Sequence, residues 1–482
     1  MSRSGRCDPS VFGRLDPRPR AVRPNRPRLW SLARVLVATT AGVLGGCATY
    51  HALPLARTAD LAPRLGLLHA TVQVLPSAGG SRHIDLSKPL SLDDIGVLAV
   101  LNDPALRSER GYLELARAGV LQASLLPNPT GHLTFEPLLS PGVSPSWSAS
   151  LTENVGAILT YRTRLAAAHF ALAQVNADLL WRAWQVAQQA RVLALELYWG
   201  GRSLKLARRD LALLDREVRA VRAATRARML ALSVLAPLLM ARASAAKFVA
   251  TASLTELRGW QDLDALLGLE PSVRFALAAP ALGPLPSTLK PWIADLPERR
   301  PDLVALRLGY RSADENVRTA IIGQFPAFVF GGQWDQDNTN TRNAGPTVAF
   351  GLPIFDRNQG QIAAARASRR LLHEQYQSRL DQAVGMAESL VVRIRQLHGD
   401  VARASRAART AEMMAAAARK AYAADNLDQR SLADYESAAL KSQIEANALR
   451  LSLAQARVAL TVDLGLGLPR IGLAPPAHPR TL

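Results

Sequence analysis

The sequence predicts a mainly α protomer with a small antiparallel β part, built as two tandem repeats that each hold a β-hairpin and very long coiled-coil helices. Two stretches 197 residues apart carry the same 4-3 apolar pattern in the same phase. Proline is absent from Ser146 to Ala236 and from Ile354 to Leu468, so nothing blocks a helix in either stretch. Short segments of alternating apolar and polar residues stand just before each stretch, the period of a half-exposed strand.

At the N-terminus, a basic region ends at Arg34 and an apolar run, Val35–Leu44, follows. That run is too short for a permanent membrane anchor, so residues 1–46 are expected to be an export signal. Leu44-Gly45-Gly46-Cys47 resembles a lipobox, which predicts cleavage before Cys47 and a covalent lipid on its thiol. An ordinary cleaved signal is the alternative. Ala48, rather than Asp, resembles the outer-membrane address of such lipoproteins. The other cysteine, Cys7, would leave with the signal, so the mature chain holds no disulfide and no cysteine metal site. No other cofactor is expected. Residues 47–85 form a lipidated extension.

The first repeat spans 86–269 and the second 298–466, joined by a linker at 270–297 that contains six prolines. Asp103-Pro104-Ala105-Leu106 falls on Arg300-Pro301-Asp302-Leu303, Pro129 on Pro326, and Leu267-Gly268 on Leu464-Gly465, all at one offset. Each repeat starts with a helix of about 20 residues (105–125 and 302–322). A hairpin follows (about 130–154 and 327–356), then a rod (about 155–225 and 358–424), then a returning helix (about 232–267 and 431–464). In the second rod the 4-3 positions run from Tyr376, Leu380 and Ala383 to Ala418 and Tyr422, all apolar or Tyr. A strict heptad over that length is a supercoiling seam. At about 1.5 Å per residue each rod is on the order of 100 Å long. Pro237 is expected to kink the first returning helix. The tail, 467–482, is read as irregular.

The strand segments place large apolar residues on one face. Leu133 and Phe135 alternate with His132, Thr134 and Glu136; Trp147 and Leu151 alternate with serines; Val348, Phe350 and Leu352 share a side in the second hairpin, as do Phe328 and Phe330. Apolar outside and small or polar inside is the pattern of a membrane barrel. A soluble sheet with one face on a core is the alternative. Four strands cannot close in lipid, and an open edge there is costly, so other copies must complete the barrel. The count of copies stays open at this point.

The run Arg299-Arg300-Pro301-Asp302-Leu303 through Gln324-Phe325-Pro326-Ala327-Phe328 resembles the TolC-like outer-membrane efflux proteins, in their lipoprotein branch. So do Leu125-Leu126-Pro127-Asn128-Pro129 and Gly351-Leu352-Pro353-Ile354-Phe355-Asp356-Arg357-Asn358-Gln359-Gly360-Gln361-Ile362. The resemblance covers about residues 86–466. It implies a homotrimer whose strands make a twelve-stranded β-barrel in outer-membrane lipid, continued by an α-helical tunnel in the periplasm. It also implies docking to a periplasmic adaptor protein and an inner-membrane pump, with the chain as a passive duct for small molecules.

Three departures bear on that expectation, Pro237 in the first returning helix being one. Both hairpins are short, so extracellular loops should be minimal. The family usually has Gly in each rod-tip turn; here Asp425 takes that place, with Asn426 and Asp428 beside it, and the first tip, Thr225–Leu230, offers neither Gly nor Asn. Threefold repetition of Asp425 and Asp428 would make acidic gating rings; alternatively Asp428 simply caps the next helix. Arg216, Arg219, Arg222, Arg226 and Arg228 crowd the first tip, as a contact for the adaptor, as a contact for the acidic turn of a neighbouring copy, or as a plain solvated face. Trp147 and Trp334 suit an interfacial aromatic belt, or ordinary packing.

The formal charge is +19, of which residues 1–46 contribute +7 through nine Arg and two Asp. The remaining excess forms no basic block interleaved with aromatics, so nucleic-acid binding is not expected. The eight His show no metal-ligand spacing and no Gly-rich phosphate loop is present, so no enzyme and no metal site is expected. The competing assignment is a periplasmic coiled-coil structural or adaptor-like lipoprotein that inserts no strand in lipid.

Overall fold

Long proline-free runs with one apolar stripe can persist as helices only if something covers the stripe. In the computed structural model each rod is covered by a returning helix. The structure describes residues 50–73, 81–137, 139, 144–326 and 328–471. The signal at 1–46, Cys7, Cys47 and the tail beyond 471 lie outside the described residues. Two units are separated, Met1–Ala59 and Asp60–Leu482. The described part of the first has no helix or strand; all that follows concerns the second.

The elements in order are β1 (Thr71–Gln73), β2 (Ser81–His83), α1 (Leu92–Asn102), α2 (Pro104–Ser124), β3 (Thr130–Glu136), β4 (Ser146–Asn154), α3 (Val155–Arg226) and α4 (Leu235–Leu267). Then come α5 (Lys290–Ala294), α6 (Leu296–Arg299), α7 (Pro301–Ile322), β5 (Phe328–Gln336), β6 (Arg342–Phe350), α8 (Gln359–Ala423) and α9 (Gln429–Asp463). The fold is therefore mainly helical with a small antiparallel sheet. Ser91 and Asp94 start α1 with a reciprocal capping box. Asn154 accepts the Gly156 N–H at 3.0 Å and starts the 72-residue α3 directly from the end of β4.

The helices form a layer in which α4 packs on α3, α3 on α9, and α9 on α8. The shorter α1 and α2 pack on α3, and α7 packs on both α3 and α8. Every fully buried residue of α8 (Ala383, Ala387, Leu390, Ile394, Ala408, Ala415 and Ala418) occupies a 4-3 position. Small residues dominate that stripe, which lets the α9 backbone approach closely. The returning helix α4 is covered on one side only: Met240, Phe248, Leu254 and Leu257 are exposed, as is Leu232 just before it. Leu232–Leu267 is also the one helical segment among the described residues long and apolar enough to cross a bilayer, and none of its most apolar window is buried. Pro237 produces no kink. A 3-10 turn, Leu232–Val234, precedes α4, so Pro237 falls in its first turn, where the missing N–H has no intrahelical acceptor to lose.

Where α6, α7, α8 and α9 meet, the largest buried charge cluster holds the layer together. Arg300 is 4 % exposed and grips both oxygens of Asp302, Nη2 at 2.7 Å and Nε at 3.0 Å. Its Nη1 donates to Asp463 Oδ1 at 2.6 Å at the end of α9. Arg379 of α8 reaches Asp302 Oδ2 at 2.7 Å, and the Arg300 guanidinium lies 4.9 Å from the Trp181 ring centroid on α3. Burial pushes the Asp302 carboxyl up, but the Arg300 and Arg379 guanidiniums overcome it and hold it below the ordinary carboxylate range. Burial raises the Asp463 carboxyl, and Arg300 offsets that only in part. Just beyond, Gly465 ends α9 with φ 61°, and Gly268 ends α4 with φ 67°. A Cβ at either would sit 3.3 Å from a backbone oxygen, so both need Gly for conformation and for space.

The two rod tips turn in the same way. At the second, Asp425 has φ 56°, its N–H donates to Tyr422 O at 3.0 Å, and Asn426 N–H donates to Ala421 O at 2.8 Å. At the first, Arg228 has φ 57°, its N–H donates to Thr225 O at 3.0 Å, and Met229 N–H donates to Ala224 O at 2.9 Å. Both are helix-ending turns that close two orphan carbonyls through one left-handed residue. The first tip thus makes the turn without Gly or Asn, with Arg228 bearing the left-handed strain.

Two outcomes follow. Replacing Arg300 by Met leaves Asp302 and Asp463 short of their buried partner, and denaturant unfolding of the purified protein should show a loss of about 3–5 kcal/mol. Co-replacing both aspartates by apolar residues should recover most of it. Arg228→Gly removes left-handed strain from a bulky residue and should raise unfolding stability by about 1 kcal/mol, whereas Arg228→Val should lower it.

Candidate functional site

Two features of the sequence converge on sites: the strand faces and the rod tips. The strands form one sheet in the order β3-β4-β5-β6, all antiparallel, so the two hairpins lie side by side through β4 and β5. The register puts Leu133 opposite Ala149, Phe135 opposite Trp147, Ala149 opposite Trp334, Phe330 opposite Val348 and Phe328 opposite Phe350. With a side-chain period of 2, this gathers Leu133, Phe135, Trp147, Leu151, Phe328, Phe330, Val348 and Phe350 onto a single face. All are exposed, Leu133 at 76 % and Phe330 at 56 %. Leu352 is exposed too but lies past the sheet: β6 stops at Phe350, because the proline at 353 restricts the residue before it and donates no N–H.

The apolar face is bounded along the strands. Phe135, Trp147 and Trp334 gather toward the hairpin turns, and Phe328, Phe330 and Phe350 gather toward the rods; the Phe328 and Phe350 rings are 5.9 Å apart. Phe328 and Trp334 are separated by roughly 20 Å along β5. Polar residues on this face occur only at its ends, Glu153 beside Phe330 and the pair Gln336 and Arg342 at the turn. The opposite face carries Ser146, Ser148, Ser150 and Thr152 on β4, His132 and Thr134 on β3, and Gln333 and Asp335 on β5. The second turn is short and self-contained. Asp337 Oδ1 accepts from Thr339 N and Thr341 N, both at 2.9 Å, and Asn340 supplies φ 71°. The outer strands β3 and β6 each have one neighbour only.

Asn358 marks the passage from sheet to rod. It sits in the left-handed region at φ 61°, its N–H donates to Asp356 Oδ1 at 2.8 Å, and its Nδ2 donates to the Ala320 carbonyl of α7 at 2.8 Å. Spacing alone could not reveal that tie, since it joins residues 38 apart.

At the tips, Asp428 caps α9: its carboxylate accepts from Ser431 N at 3.0 Å and Ser431 Oγ at 2.6 Å, bonds that hold it below the usual carboxylate range. Asp425 and Asn426 make the turn before it. Arg226 is in the last turn of α3 and Arg228 in the turn beyond. The chain brings the two tips together through α3 and α9. Burial raises the Glu217 carboxyl of α3, Asp434 and Asp428 of the neighbouring helix end raise it further, and Arg430 works against them. Sequence reasoning misses Glu217, which lies beside the 4-3 position Val218, because its acidic neighbours are more than 200 residues away in the chain. Arg419 ties the end of α8 to Glu436 of α9 at 2.7 Å. Among the described residues no group of three His, Cys, Asp or Glu is arranged to hold a metal ion.

The family described as outer membrane efflux protein matches residues 292–466. No curated protein matches the chain. Solved structures do. The Campylobacter jejuni CmeC outer membrane channel superposes with a TM-score of 0.65 at 15 % identity, over 78 % of this chain and 86 % of that one. The outer membrane protein VceC from Vibrio cholerae gives 0.62 at 17 %, over 78 % and 96 %. The open state of the Neisseria gonorrhoeae MtrE outer membrane channel gives 0.63 at 18 %, over 80 % and 91 %. Residues 292–466 thus match the outer membrane efflux protein family, and the chain has the fold of these outer-membrane proteins.

Proposed function

We propose that the chain is the outer-membrane channel component of a tripartite efflux system, a passive duct for small molecules across periplasm and outer membrane. The observation that carries this is the sheet: one largely apolar face with two aromatic rows and polar residues only at its ends, a polar opposite face, and two strands with an unpaired edge. Three copies joined β6 to β3 give twelve strands and leave no edge. The serine and threonine face then lines the lumen, and Leu133, Phe135, Trp147, Leu151, Phe328, Phe330, Val348 and Phe350 face lipid. The helix-hairpin-rod-helix order that occurs twice is a tandem repeat, and its rods continue the barrel as a helical tunnel. The open apolar side of α4 meets a rod of the next copy.

Lipid on Cys47 anchors the mature N-terminus in the same membrane. The tips, with Arg226 and Arg228 on one and Asp425, Asn426 and Asp428 on the other, face the adaptor and the inner-membrane pump that supplies the energy. Asp425 and Asp428 repeat three times around the tunnel entrance and restrict it.

The purified protein should conduct ions in planar bilayers and run as a heat-dissociable trimer on gels. Cys47→Ala should stay in the membrane through an alkaline wash, because strands rather than acyl chains hold it. Absence of conductance together with release of the Cys47→Ala protein would instead indicate a peripheral periplasmic rod. Asp425→Ala with Asp428→Ala should raise leak conductance; an unchanged leak leaves Asp428 as a helix cap alone.

A further inference from the structure

A slot of about 600 Å³ opens between α3, α8 and α9 in the middle of the rods. Its walls carry five cations, Arg202, Lys205 and Arg209 of α3, Arg409 of α8 and Arg450 of α9, against a single carboxylate, Glu412. The three on α3 are spaced i, i+3 and i+7, so they share one helix face. Some arginines of the helical layer meet acids: Arg242 with Asp215, Arg369 with Asp314, Arg419 with Glu436. In the slot they do not. Among the described residues, Lys205, Arg209 and Arg409 have no acidic partner, and Arg202 donates only to the Tyr198 hydroxyl at 3.2 Å. Glu412 is already engaged by Arg419 at 3.4 Å and Gln443 at 2.9 Å. Arg450 is half-buried and fixed in place. It donates to Asn447 Oδ1 at 3.2 Å and Ser405 Oγ at 3.1 Å, and its guanidinium lies 5.7 Å from the Trp199 ring centroid.

We infer that this slot binds a small solute carrying two or more closely spaced anionic oxygen groups, of the diphosphate type. Five like charges around one cavity repel one another, and a multivalent anion relieves that repulsion at several of them together. Guanidinium groups present paired N–H donors that match phosphate oxygens, and none of the four arginines lining the slot is paired with a carboxylate. A singly charged ion engages too few of them. The cavity is of the size that holds whole small molecules. Every wall comes from one chain, so this inference stands apart from the channel assignment.

Isothermal titration of the full-length protein in detergent, with pyrophosphate as the probe and ionic strength held constant, tests it. Saturable binding of one pyrophosphate per chain is expected, with orthophosphate weaker. Arg209→Gln and Arg409→Gln should each weaken binding about tenfold, and Arg409→Lys should restore part of it. Arg370→Gln, on α8 outside the slot, should change nothing. Unfolding midpoints of the variants close to that of the parent exclude misfolding as the cause. No saturable heat, or an equal loss in Arg370→Gln, overturns the site and leaves only diffuse attraction to a basic protein.

Discussion

For the channel we propose, an unpaired strand edge in hydrocarbon is the constraint on which the rest of the structure depends. Each unsatisfied backbone N–H or C=O there costs several kcal/mol, and no water is present to take its place. The chain offers four strands with an apolar outer face, and both β3 and β6 end the sheet. No rearrangement within one copy closes so short a sheet, whereas a copy-to-copy junction does. The same constraint accounts for the chemistry of the two faces. A closed barrel needs large apolar side chains outward and tolerates small hydroxyl residues inward; the sheet has one face for each, Phe330 and Val348 on the first and Ser148 and Ser150 on the second.

The rods answer a related need. Long helices in water must cover their stripes, and here α4 and α9 do so only in part. What remains open on α4 is apolar surface that an isolated helix would not keep. The join between sheet and rods must be stiff enough to carry the layout of one into the other. Asn358 and the Arg300 cluster serve this end, tying α7 to the start of α8, and α7 to the end of α9. At the matching place in the first half, Asp103 stands where Arg300 does and accepts the Leu106 N–H at 2.8 Å as a helix cap. At that place one half therefore has a helix cap and the other a buried ion cluster.

Much of this was legible in the sequence because periodic patterns report local geometry. The 4-3 positions of the second rod include every fully buried residue of α8, and strand alternation separated the two sheet faces residue by residue. Partners far apart in the chain were not legible. Arg300 and Asp463 are 163 residues apart, and nothing in either neighbourhood names the other. The slot cations were visible as basic residues, yet which of them lacked an acid depended on how α3, α8 and α9 pack. Backbone strain was hidden as well. Left-handed turns are expected at Gly or Asn, so Arg228 gave no sign of φ 57°, whereas Asp425 did. Segment ends were the weakest part, as Leu352 beyond β6 and Pro237 in a first turn illustrate.

The β3 to β6 junction between copies can be tested directly by cysteine pairing. In a background with Cys7 and Cys47 replaced by serine, one cysteine at Leu133 is combined with a second at Ala344, Pro346 or Val348 in turn. Oxidation in the membrane should give a covalent ladder that stops at three chains for the pair in register. Absence of any interchain product across the whole scan, in protein that is folded and membrane-bound, would contradict closure of the sheet by neighbouring copies.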